Sequence, residues 1–192
     1  DGIAIPVAAV GSHISALPRE VLDTELAIDV VLCNEGVYAL RNLLSSDLED
    51  QNSWSEINGI GFRLEGKSVF TPPEVIVPQD RMDLDLPGYA WDLLPYRDKP
   101  LDLYRSHFWH AGYDHARRTP FAAIYTSLGC TFRCSFCMIN ILNRDNDVEI
   151  GIASDYAKMR FWSPELIIGE IDKLVDMGVQ TLRISDEMFL LN

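Results

Sequence analysis

The stretch Phe121-Ala122-Ala123-Ile124-Tyr125-Thr126-Ser127-Leu128-Gly129-Cys130-Thr131-Phe132-Arg133-Cys134-Ser135-Phe136-Cys137 decides how this chain is read. Phe121 to Thr126 predicts a strand, Ser127-Leu128-Gly129 leads out of it, and three cysteines follow at the spacing C-x-x-x-C-x-x-C. After an irregular section from Asn143 to Arg160, Ser163-Pro164-Glu165 predicts a helix start. It offers a hydroxyl cap, Pro at the first helical position and an acid in the first turn. Ile167, Ile171, Leu174 and Val175 form one apolar stripe, and Gly178 ends the helix. Val179 to Ser185 predicts a second strand, closed by Asp186-Glu187. Residues 120–192 therefore read as one βαβ unit, with the cysteines just past the first strand. In parallel α/β architectures that is where ligands bind.

Three thiolates on a short loop can converge on one side of an iron–sulfur cube. Such cubes usually take four Cys, so three leave one iron without a protein ligand. An open position on a metal is where a small molecule binds and reacts, as at catalytic zinc. A structural zinc site normally pairs two C-x-x-C units; here the remaining ligands would be the distant Cys33 or one of His107, His110 and His115. That zinc alternative stays open beside the iron–sulfur one, as does a role for the three Cys as core residues. A ferredoxin site wants a fourth Cys nearby, and none exists.

The chain has 192 residues, 47% hydrophobic and 23% charged, which places it among folded globular chains rather than disordered ones. Sixteen basic against 29 acidic residues give a net charge of −13, which repels phosphate and argues against binding nucleic acid. No apolar run approaches the ~18 residues of a membrane span. The start lacks the basic flank and apolar core of a signal peptide, and the cysteines are clustered rather than spread as a disulfide framework. Both point to a reducing, cytoplasmic setting. The chain begins without Met and stops just after a strand-like run, which suggests an internal piece of a longer protein.

Upstream, Ile3 to Val10 predicts a buried strand, with Gly11-Ser12-His13 as its turn and Pro18 to Leu26 as a short helix. Asp29 to Cys33 predicts a second buried strand, Asn34-Glu35-Gly36 its turn, and Tyr38 to Leu48 a helix with Leu40, Leu43 and Leu44 at helical spacing. The alternation suggests an α/β layer with a parallel sheet. Ile60 to Leu64 and Ser68 to Thr71, joined by Glu65-Gly66-Lys67, predict a hairpin. Six prolines between Pro72 and Pro100 break up regular structure, so this stretch reads as a linker on a surface. Residues 104–118 combine Tyr104, Phe108, Trp109 and Tyr113 with His107, His110 and His115. They suit either a strap over the outside of the fold or a wall of the active site.

The run Tyr125 to Cys130, continuing through Cys137-Met138-Ile139-Asn140, resembles the signature of the radical SAM superfamily. The resemblance covers residues 120–192, as the first βαβ unit of that family's partial TIM-type barrel. It implies that Cys130, Cys134 and Cys137 hold a [4Fe-4S] cluster whose fourth iron binds S-adenosylmethionine. One electron then cleaves a carbon–sulfur bond to give methionine and a 5′-deoxyadenosyl radical. It also implies that Phe136 sits near the adenine. Ser185, Asp186 and Glu187 occupy the strand end where the family often holds the amino group of S-adenosylmethionine, commonly with Gly-Gly-Glu. Asp186 and Glu187 are the residues carried over, against the plain alternative that they cap a strand in solvent.

Residues 1–82 resemble the later half of the Rossmann-like cobalamin-binding domain that precedes this barrel in one radical SAM subgroup. Val10 to Pro18 looks like that domain's Gly-Gly-x-His-x-Thr turn, and Asn34 to Leu40 like its Gly-Glu-Gly-Glu-x-x-Leu turn. Val10, Asn34 and Val37 depart from the pattern. The implied cobalamin contacts are Gly11, Ser12, His13, Glu35 and Gly36; small residues there let backbone approach a flat macrocycle. The domain's earlier strands, with any Asp-x-His-x-x-Gly cobalt-ligand motif, are absent, so the resemblance leaves cobalt ligation by His open. Together the expectations are a partial cobalamin domain over 1–82, a linker over 83–119 and the start of a radical SAM domain over 120–192. The implied activity is methyl transfer to an unactivated carbon of a small molecule, with a flavodoxin or ferredoxin as electron donor. A non-methylating rearrangement or oxidation, and a non-enzymatic zinc or iron–sulfur module, are the alternatives.

Overall fold

The computed structural model describes residues 5–98, 120–132, 134–137 and 158–189. The aromatic and histidine-rich segment 104–118 and most of the irregular section before Arg160 lie outside the described residues. The chain divides into two compact units, one of Asp1–Pro78 with Gly129–Lys158, the other of Gln79–Leu128 with Met159–Asn192.

The first unit is built on a four-stranded sheet in the order β1 (Ala8–Val10), β2 (Val30–Leu32), β3 (Ile60–Leu64), β4 (Lys67–Phe70). β1 and β2 run parallel, while β3 and β4 are antiparallel additions, so the sheet is mixed rather than purely parallel. All three residues of β2 are buried because both faces of the strand are covered. Val30 and Leu32 face a cluster with Ala39, Leu43, Trp54, Ile57, Ile60 and Phe62, and Trp54 meets Phe62 edge to face at 5.6 Å. Val31 faces the other way, onto Ile14 of α1 (Ser12–Ala16) and Val21 and Leu22 of α2 (Pro18–Thr24). α3 (Val37–Leu44) buries Ala39 and Leu43, four residues apart, which turns Leu40 and Leu44 of the expected stripe outward. The β3–β4 hairpin closes on Glu65 and Gly66, both left-handed (φ 50° and 78°). A two-residue turn of that kind matches the twist of its strands.

Two expectations need correction here. The buried strand over Ile3 to Val10 is a three-residue edge strand, with Ile5, Val7 and Val10 exposed. β1 pairs only with β2, so one of its sides has no neighbouring strand among the described residues. Gly11-Ser12-His13 is not a free turn: Gly11 is the N-cap of α1, and the Ser15 N–H donates to its carbonyl at 2.9 Å.

The second unit holds the expected βαβ. β5 (Phe121–Ile124) pairs in parallel with the last strand, Thr181–Ile184, from Phe121 opposite Thr181 to Ile124 opposite Ile184. A short antiparallel pair, β6 (Ser127–Leu128) with β7 (Arg160–Phe161), extends the path beyond β5. The last strand is therefore β8. Before β5, the proline-rich stretch forms α4 (Met82–Asp85) and a 3-10 turn at Trp91–Leu93. The connecting helix α5 (Pro164–Asp176) starts as its sequence predicts: Pro164 is its first residue and Ser163 Oγ accepts from Leu166 N at 3.1 Å. Leu174 is buried on Ala122 and Ile124, with Ile167 and Ile171 beside it, whereas Val175 faces out. Trp91, Leu94 and Tyr96 pack on the same cluster, and Trp162 Nε1 donates to the Leu86 carbonyl at 2.7 Å. The later part of the proline-rich stretch, residues 82–96, is thus a strap bound to the βαβ unit. No helix of the described residues is long and apolar enough to cross a membrane.

Candidate cofactor site

β5 and β6 deliver the chain to the cysteine run, with Cys130 two residues past Leu128. All three thiols are free; Cys134 is exposed, and Cys130 and Cys137 are half-buried. The Cys137 N–H donates to the Cys134 carbonyl at 3.0 Å, closing a turn around Ser135 and Phe136. Phe136 is 88% exposed, so its ring is held by no packing of its own. Among the described residues no three His, Cys, Asp or Glu side chains are gathered to hold a metal. The donor set still fits an iron–sulfur cluster: three uncombined thiols within eight residues, open to solvent, of the type that binds iron as thiolates. Drawing them together would be the work of the cluster itself, since metal binding couples to local folding. Cys33 is the opposite case. It is buried behind β2, and desolvation pushes its thiol up to about 12, which keeps it a neutral core residue.

The ends of β5 and β8 carry the polar chemistry of the second unit. Asp186 Oδ1 accepts from Thr126 N at 2.7 Å; its Oδ2 accepts from Ser127 Oγ at 2.9 Å and from Thr126 Oγ1. Glu187 is exposed beside it. Ser185 continues the ladder through its N–H to the Ile124 carbonyl at 2.9 Å, and its buried hydroxyl has no hydrogen-bond partner among the described residues. Tyr125 N donates to the Tyr89 hydroxyl at 3.3 Å. Burial raises the Tyr89 pKa, against the lowering effect of that bond, so the phenol is neutral at ordinary pH. Tyr89 is not among the residues the sequence singles out, and Thr126 and Ser127 enter there only within the signature run. The polar triplet Tyr125-Thr126-Ser127 at the end of an apolar strand is the signal that marks this spot.

In the first unit, Val10 lies opposite Leu32 in the parallel β1–β2 pair, so the turns after both strands leave the same end of the sheet. Gly11, Ser12 and His13 are exposed there. A side chain added at Gly11 would meet nothing within 4 Å, so the turn faces open space that a flat ligand can enter. Asn34 and Gly36 take left-handed conformations, φ 58° and 70°. A Cβ on Gly36 would come within 3.1 Å of Val10 Cγ2 and Leu32 Cβ, which fixes glycine at that point. Glu35 turns inward, where its Oε2 accepts from Val77 N at 3.1 Å. The five residues expected to meet cobalamin thus share one sheet end, with His13 turned to solvent and Glu35 to the protein.

No family model matches the chain. It is 26% identical over 183 residues to an uncharacterized methyltransferase of Pyrococcus horikoshii, covering 95% of this chain and 33% of that protein. Among solved structures it is similar to the radical S-adenosylmethionine methyltransferase TsrM from Kitasatospora setae. The TM-score is 0.56 and the identity 20%, over 97% of this chain and 30% of that one. The chain shares the fold of part of a radical SAM methyltransferase. The chain spans about a third of each of these relatives. The TsrM structure holds a tryptophan substrate and an S-adenosylmethionine analogue.

Proposed function

We propose that this chain is part of a radical SAM methyltransferase that also uses cobalamin. The observation that carries the reading is the three free thiols that follow β5 and β6 in sequence, in a chain whose backbone is similar to part of a radical SAM methyltransferase. In this reading Cys130, Cys134 and Cys137 hold a [4Fe-4S] cluster, which when bound supplies the electron for reductive cleavage of S-adenosylmethionine. Phe136, exposed in the turn between Cys134 and Cys137, offers its ring to the adenine. Glu187, exposed past the end of β8, is the acid available to the amino group. Gly11, Ser12, His13 and Gly36 line a cobalamin, which supplies a methyl carrier, and Glu35 braces that turn from behind through Val77. Residues 1–82 are then the closing part of the cobalamin domain, 83–119 the linker and 120–192 the opening of the barrel. A small-molecule substrate and a flavodoxin- or ferredoxin-like donor complete the system. The protein's own contribution is binding, orientation and exclusion of water, while the cofactors carry the chemistry.

The test is anaerobic reconstitution of the full protein with iron and sulfide, beside a Cys134→Ala variant. Expected are sulfide-containing iron, a paramagnetic spectrum that changes when S-adenosylmethionine is added, and reductive cleavage that the variant loses. S-adenosylhomocysteine among the products would mark methyl turnover. Stoichiometric zinc without sulfide, or a spectrum indifferent to S-adenosylmethionine, would overturn the proposal.

A further inference from the structure

Three successive residues at the end of β5 are each tied to a side chain from another part of their unit. Tyr125 N–H goes to the Tyr89 hydroxyl, and Thr126 and Ser127 go to Asp186. Asp186 takes the larger share. One carboxylate oxygen accepts the Thr126 N–H, the other accepts both hydroxyls, and all of these bonds span about sixty residues of chain. Bonds to an ionised acceptor are the strong ones, and here a single side chain makes three of them to a two-residue target. That target leads into the β6–β7 pair, where Ser127 is opposite Phe161 and Leu128 opposite Arg160, and Cys130 is three residues past Ser127. Ser127 is therefore fixed three residues along the chain before the first thiol.

We infer that Asp186 is a positioning residue that anchors the strand end from which the cysteines leave, and is not the ligand of the S-adenosylmethionine amino group. Its acceptors are already engaged by the protein, whereas the neighbouring Glu187 is exposed and free for that part. A site held on strands is fixed more tightly than one held on a loop alone, so the anchor sets how readily the three thiols gather. Tyr89 serves the same end by accepting the adjacent N–H, which makes the strap part of the same brace.

The inference rests on the radical SAM reading for its link to cluster assembly, but the anchor itself is testable without any cofactor. The experiment compares full-length wild type with Asp186→Ala, Asp186→Asn and the pair Thr126→Val/Ser127→Ala, which removes the hydroxyl partners and leaves Asp186 intact. In the metal-free protein, hydrogen exchange at the Thr126 amide should rise about tenfold or more in Asp186→Ala and less in Asp186→Asn, which keeps one acceptor. After anaerobic reconstitution, iron per chain should fall in Asp186→Ala and in the Thr126/Ser127 pair. The triple variant should fall no further than Asp186→Ala, because the two changes break the same contact. The molecules that do hold a cluster should bind S-adenosylmethionine within about twofold of wild type. Unchanged exchange and full iron content with S-adenosylmethionine affinity weakened about tenfold would make Asp186 the amino ligand and overturn the inference. Wild type that takes up no cluster would sink the radical SAM reading instead, while the exchange result on metal-free protein would still decide the anchor.

Discussion

Replacing Glu170 by alanine should release the strap. Glu170 is 3% exposed on α5, and its carboxylate collects three donors: Trp91 Nε1 at 3.1 Å, Tyr89 N at 3.3 Å and Lys173 Nζ. Two of these belong to the strap, so the carboxylate joins residues 89–91 to the helix. Truncation orphans the half-buried indole N–H, at about 1–3 kcal/mol. Tyr89 N lies in an exposed stretch and finds water, and the mostly exposed Lys173 loses a pair worth at most about 1 kcal/mol. The one buried methylene lost adds about 0.8 kcal/mol, and relief of carboxylate desolvation offsets part of the total. The net is about 2 kcal/mol, or about a thirtyfold rise in the opening equilibrium of the strap. Glutamine keeps the shape and one acceptor but turns an amide toward Lys173, so Glu170→Gln should open it by about 1 kcal/mol. Hydrogen exchange in peptides spanning 86–96 reads this directly, because Leu93 N and Leu94 N are bonded within the turn at 3.1 Å each. Exchange in Glu170→Ala within about threefold of wild type, or faster in Glu170→Gln than in Glu170→Ala, would show that the carboxylate does not hold the strap.

Ser163→Ala removes the hydroxyl that caps Leu166 N and should destabilise α5 by about 1 kcal/mol, measured by amide exchange in its first turn; Ser163→Asp should restore it. The Ser163 hydroxyl, and then its N–H at 2.9 Å, hold the Asp83 carboxyl below its ordinary pKa. A lowered carboxylate stabilises the fold above its unfolded pKa and stops doing so as pH falls through the folded one. Asp83 should therefore titrate below a free aspartate by NMR, and a midpoint at or above the free value would refute the contact. Cys33, with its thiol pushed up to about 12, should resist alkylation in the folded metal-free protein at mildly alkaline pH while Cys130, Cys134 and Cys137 react. Of these four cysteines, mass spectrometry should find three modified before denaturation and Cys33 modified only after it.

Local chemistry carried most of what could be read from the chain alone. The helix start at Ser163-Pro164, its end at Gly178 and the Glu65-Gly66 hairpin turn depend on residues a few positions apart, and each stands where the residue types require. The strands of the βαβ unit and β2 were legible because their apolar runs are bounded by polar turns. What failed was exposure. Ile3 to Val10 has the composition of a buried strand, yet β1 is an edge with Val7 and Val10 outward, because burial depends on neighbours that a single strand cannot encode. Leu40, Leu44 and Val175 fail in the same way, each lying one step off the true centre of its helix face. The roles of Asp186, Glu170 and Tyr89 were out of reach for another reason. Each acts on a partner 36 to 81 residues away, and no local pattern marks which polar groups will meet.

The two parallel pairs make one physical point. In β1–β2 the strand residues are apolar, and the turns that follow carry Ser12, His13, Asn34 and Glu35. In β5–β8 the strands are again largely apolar, and Thr126, Ser127, Asp186 and Glu187 gather past their ends. The polar residues meet there because the carboxyl ends of a parallel pair share one edge. Substitutions should therefore separate by position along the strand. Enlarging or truncating Val31 or Ile124 should cost stability in proportion to buried volume, and changes at the ends should leave the core intact. Asp186 is where the division blurs: it stands among the polar residues past the strand ends, yet it spends its acceptors on the scaffold.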